Sequence, residues 1–129
     1  MPFLILTLIS CSGKQSMDLA KSKVSAECLL NTMETENFYN ISQNYTLDFF
    51  QKITKKQWVE DLIKIRELNG KIINFTLIEA NTEHAIGDKD FIILTYVVQY
   101  TKKKSFQKLT IVIENKEYKV AGHNIKLES

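Results

Sequence analysis

Cysteine is scarce in this chain. Its two residues, Cys11 and Cys28, form no CxxC pair and no cluster with histidine. That spacing excludes a structural zinc site, and nothing else in the sequence calls for a metal or a cofactor. An excess of one charge is lacking too: 17 basic residues face 15 acidic ones, a formal charge of +2. Nucleic-acid binding rests on many phosphate contacts from clustered Lys and Arg, so no nucleic-acid partner is expected. The one basic run, Lys102-Lys103-Lys104, reads as a solvated turn, with an anionic-surface patch as the alternative. Catalytic fingerprints of the GxSxG, P-loop, HExxH and Rossmann types are missing, and so are internal repeats. Arginine is reduced to a single residue, Arg66. Asn40, Asn44 and Asn74 match the glycosylation sequon, as expected by chance in an Asn-rich chain.

What remains is ordinary globular material. Hydrophobic residues make up 44% and charged residues 25% of 129, enough for one domain with a real core. The N-terminal apolar run, residues 3–9 (FLILTLI), is far too short to span a bilayer, which takes about 20 residues. It has the length of the apolar region of a signal peptide. Leu8-Ile9-Ser10-Cys11 resembles the bacterial lipobox, with a small residue before the cysteine. It departs from the usual leader in having no Lys or Arg before Lys14. The resemblance implies cleavage before Cys11 and diacylglycerol on its sulfur. One acyl chain anchors marginally and two anchor stably. The expected organisation is therefore a lipoprotein signal peptide at 1–10, a lipidated Cys11 with a polar tether at 11–18, and one domain at 19–129. Cys28 then lacks a partner and reads as a small buried hydrophobe; a Cys11–Cys28 disulfide is the competing reading.

Periodicity divides the domain. Ala26, Leu29, Leu30 and Met33 recur at helical spacing within 19–35. Residues 38–45 suggest a second short helix and 48–52 a further turn. Thr54 reads as the N-cap of a helix over 55–69, with Trp58, Leu62 and Ile65 on one face and Gly70 as its stop. The period then changes to 2. Strands are expected at 71–83, with Ile73, Phe75 and Leu77 on one face, at 91–101, at 105–114, with Leu109, Ile111 and Ile113 inward, and at 117–127. Turns are expected at Gly87–Asp90, at 102–104 and at Asn115-Lys116. The strand at 91–101 is apolar on both faces, which suits a central strand covered on both sides. In the last strand Tyr118 and Val120 are apolar at even positions, Ile125 and Leu127 at odd ones. That parity break predicts a bulge or bend at Gly122. The reading is α+β, with N-terminal helices packed on a curved four-stranded antiparallel sheet. The order resembles the cystatin-like and nuclear-transport-factor-like cone folds.

Trp58, Arg66 with Gly70, the run Gly87-Asp88-Lys89-Asp90-Phe91, and Val120-Ala121-Gly122-His123-Asn124-Ile125 together resemble the bacterial family called domain of unknown function 4019. The resemblance spans roughly residues 20–127. It implies a small exported protein of this fold and no established activity. The family usually carries an aromatic residue where His123 stands and an acidic one where this chain has Lys108-Leu109.

Candidate pocket residues are Trp58, Arg66, Tyr96, Tyr118 and His123, with Tyr100 a further aromatic. Each has a plainer reading: aromatics as core, Arg66 as a tie at a helix end, His123 as a residue without a carboxylate partner. His84 reads as exposed near a turn. Asp48, Asp61 and Glu79 are scattered, so no acid–base pair is implied. No catalytic residue is assigned and the chain is not expected to be an enzyme. The expectation is a lipid-anchored protein of the bacterial envelope, held to the membrane through Cys11. It would serve as a non-catalytic binding or protein-interaction module. A small-ligand carrier using the cone interior and an isomerase-like enzyme are the alternatives. A homodimer through the second sheet face is a further expectation.

Overall fold

A computed structural model describes residues 17–83 and 90–128. The expected signal peptide, Cys11, most of the expected tether, His84 and the expected turn residues Gly87, Asp88 and Lys89 lie outside the described residues.

Helix α1, Leu19–Glu34, starts at Asp18, whose side chain accepts from the Lys21 N–H at 3.0 Å. Its buried face is Ser22, Ala26, Leu29, Leu30 and Met33, the stripe the spacing predicts. Cys28 is exposed, contrary to the buried-hydrophobe reading. Two residues from Ala26 is about 200° of helical rotation, which turns the thiol away from the sheet. The segment Phe38–Asn44 is a 3-10 helix that buries Phe38 and Ile41. A single turn, α2 (Phe49–Lys52), follows, with Thr46 Oγ1 accepting from the Phe49 N–H. Helix α3, Lys55–Asn69, is capped as expected: Thr54 Oγ1 accepts from the Gln57 N–H at 3.1 Å. It ends at Gly70, whose φ of 90° is one that side-chain-bearing residues avoid.

The strands β1 (Ile72–Asn81), β2 (Ile92–Tyr100), β3 (Lys104–Glu114) and β4 (Glu117–Leu127) form one antiparallel meander in the order β1-β2-β3-β4. The architecture is thus α+β, helices first and then an open four-stranded antiparallel sheet. Helix α1 lies across the inner face and touches all four strands. Along β2, Ile92, Leu94, Tyr96, Val98 and Tyr100 point inward and are all but fully buried. Their neighbours Ile93, Val97 and Gln99 face the other side and are only half-buried. Asn115 and Lys116 both take positive φ (52° and 69°), the type I′ geometry that suits the twist of a two-residue hairpin.

Two strand-face expectations are corrected. Ile73 is 53% exposed, because β1 is bulged between Ile72 and Asn74 and the alternation shifts so that Ile72 is the buried residue. Ile113 is 49% exposed: it keeps the inward parity of Leu109 and Ile111 but lies in the wall of an open cleft. The bulge read from the parity of β4 is present. Thr110 pairs with Gly122 and Ile111 with Val120, which leaves Ala121 as the extra residue. Beyond it His123 stands opposite Leu109 and Ile125 opposite Gln107, both now on the inner face.

Candidate functional site

The bulge at Ala121 builds the most organised polar feature of the described structure. By turning His123 inward it connects four elements through a chain of hydrogen bonds. Trp58 Nε1, from α3, donates to Tyr45 Oη at 2.9 Å. Tyr45 Oη and His123 Nδ1 are 2.8 Å apart. His123 Nε2 and Gln107 Oε1 are 2.7 Å apart. Gln107 Nε2 donates to Tyr100 Oη (3.2 Å) and to Ser105 Oγ (3.0 Å). Ser105 Oγ closes the chain on the Val98 carbonyl.

The proton positions follow from donor arithmetic. Gln107 uses its amide hydrogens on Tyr100 and Ser105, so its Oε1 accepts and His123 Nε2 carries the proton. Tyr45 Oη already accepts from Trp58, so its own hydroxyl hydrogen goes to His123 Nδ1. The Trp58 Nε1–H, the Tyr45 hydroxyl, the His123 Nε2–H and both Gln107 amide hydrogens then each meet an acceptor. The flipped amide would give His123 a proton on Nδ1 and leave the Tyr45 hydroxyl hydrogen with no place to go. A protonated imidazole does the same. Burial accordingly holds the His123 pKa down, to about 3. Burial also pushes the Tyr45 hydroxyl far above its ordinary range. The ring is half-buried, yet both nitrogens bond to fully buried partners: Gln107 is 0% exposed and Tyr45 3%.

Aromatic rings lock this arrangement. Tyr45 stacks on Phe49 with centroids 4.3 Å apart, and Trp58 meets the Phe49 and His123 rings edge-on at 5.2 and 5.6 Å. Trp58 and His123 form part of the wall of a surface cleft of about 400 Å³, rimmed by Asp61, Lys64 and Asn124. A second cleft, of about 630 Å³, lies where Met17, Asp48, Lys52, Asp90 and Glu114 come together. Among the described residues, no group of three or more His, Cys, Asp or Glu could hold a metal ion.

Of the five candidate pocket residues, the fold joins only Trp58 and His123. Arg66 Nε donates to Glu36 Oε2 at 2.8 Å, tying α3 to the end of α1. Tyr96 points its hydroxyl at Glu27 Oε2 of α1 (2.9 Å). Burial first, and then that carboxylate, raise the Tyr96 pKa. Tyr118 Oη accepts from the Asp18 N–H at 2.9 Å, fixing the start of α1. The three carboxylates also stay apart: Asp61 is at the first cleft, Asp48 at the second, and Glu79 is exposed on β1. Tyr45 and Gln107 are central to the network and were not singled out by sequence reasoning. Gln107 did carry a signal, a polar side chain at the inward parity of Leu109 and Ile111. Tyr45 carried none beyond being aromatic.

No protein-family model, no curated protein and no solved structure matches this chain.

Proposed function

We propose that this chain is a non-catalytic binding module of the bacterial envelope, anchored through an acylated Cys11. The resemblance to the 4019 family belongs to this reading. One observation carries the non-catalytic part: both nitrogens of His123 are consumed inside the fold. An acid–base residue needs a nitrogen within reach of substrate and a pKa near the working pH. His123 offers neither, because Nδ1 accepts from Tyr45, Nε2–H donates to Gln107, and burial keeps the ring neutral. The space between helices and sheet speaks against internal cargo in the same way. Leu29, Leu30, Ile41, Tyr96, Leu109 and Ile111 fill it, all but fully buried. Recognition is therefore assigned to the surface, where the network holds Trp58 and His123 rigid beside the Asp61–Lys64 cleft.

Nitrogen NMR of the His123 ring tests the reading. The expected spectrum shows one neutral Nε2–H tautomer from pH 7 down to pH ~4, as a pKa near 3 requires. A ring that titrates near pH 6.5 would present a free basic nitrogen to the cleft, and the isomerase alternative would take over.

A further inference from the structure

The outer face of the sheet holds a pattern that the register makes visible. Phe106 is 43% exposed on that face. Lys104 and Lys108 lie two residues to either side on β3 and point the same way. Lys126 is its direct cross-strand partner on β4. The other neighbour, Val97 on β2, completes an apolar centre. All three lysines are exposed, and none is in an ion pair among the described residues. Lys102 and Lys103 continue the positive charge around the adjoining turn; the acidic residues of this face are Glu79 and Glu128 at its margins and the Glu114–Glu117 pair at the far end of β3 and β4.

We infer that this face lies flat on an anionic phospholipid surface, with Phe106 at the headgroup level and Lys104, Lys108 and Lys126 among the phosphates. The inference rests on the envelope-anchored reading and deepens it. The charge chooses this occupant: it is complementary to a bilayer and not to a second copy, which would bring three lysines against three lysines.

The test is vesicle co-sedimentation of the full chain carrying Cys11→Ser, on phosphatidylcholine with and without phosphatidylglycerol. Anionic lipid should strengthen binding at low salt, and high salt should remove the gain. Each lysine near an anionic surface contributes about fivefold, so the triple variant Lys104→Gln, Lys108→Gln, Lys126→Gln should lose on the order of 100-fold of the anionic-lipid gain. Lys23→Gln, Lys55→Gln, Lys56→Gln on the helices removes the same charge elsewhere and should leave most of it. Equal losses from both triples would mean net charge alone, and equal binding to both vesicle types would mean no lipid face; either overturns the inference. Dimerisation through this face, lost in a Phe106→Asp variant and indifferent to lipid, would overturn it as well. None of these results bears on whether Cys11 is acylated, so the anchor and the face fail separately.

Discussion

At the residue scale, the imidazole of His123 couples stability to pH. An unfolded histidine binds its proton near pH 6.5, whereas the folded ring holds out to about 3. Between those values the unfolded chain binds more protons, so stability rises with pH across the window. The contribution is complete above pH 6.5 and is lost progressively as pH falls toward 3. For a half-buried ring the loss by pH 4 is on the order of 2 kcal/mol. His123→Phe removes the titration and should flatten this part of the curve. It also leaves the Tyr45 hydroxyl and Gln107 Oε1 without their partner, at about 1–3 kcal/mol each at neutral pH. Urea unfolding of both proteins from pH 4 to pH 7 checks the two effects together. Equal slopes in the two proteins would place the titration elsewhere. Half of this network was legible in the sequence. Trp58 and His123 stood out by rarity, but the hydrogen bonds that join them run through Tyr45 and Gln107. A glutamine at an inward strand position is a mark of buried polar chemistry. A tyrosine in a short loop among other aromatics is not.

At the scale of the element, turn chemistry and parity were readable where the chain itself sets the geometry. Thr54 and Gly70 bound α3, Asn115-Lys116 turns the last hairpin, and the parity break in β4 located the bulge beside Gly122. The bulges of β1 were not readable, because they are set by pairing with β2 and not by the alternation of β1 itself; Ile73 and Ile78 are left exposed at them. Ile113 misled for a related reason, since strand parity says which face a residue takes and not whether that face is covered. Gly70 gives the sharpest prediction at this scale. A Cβ built there would fall 1.6 Å from Thr101 Oγ1, and φ is 90°. Gly70→Ala should cost about 2–4 kcal/mol, combining backbone strain with the displacement of Thr101. Adding Thr101→Gly should recover the steric part only. Thermal unfolding of the single and double variants measures both, and a Gly70→Ala protein as stable as the parent would refute the geometry.

For the whole molecule, the α+β order was legible because the change of period from 3.6 to 2 after Gly70 is long and clean. The interior is packed, its one described imidazole is turned into the structure, and no described helix is long and apolar enough to cross a membrane. What the molecule presents outward is a small cleft beside Trp58 and a lysine-flanked sheet face. Both suit the proposed reading, in which the LISC stretch ending at Cys11 would hold the protein at a surface. The account therefore turns on Cys11. The decisive measurement is the intact mass of the mature protein from its native host, with Cys11→Ser alongside. The account predicts a chain that begins at Cys11 and carries acyl chains, with the Cys11→Ser protein neither cleaved nor acylated. A mature chain that retains Met1 and bears no lipid would contradict it.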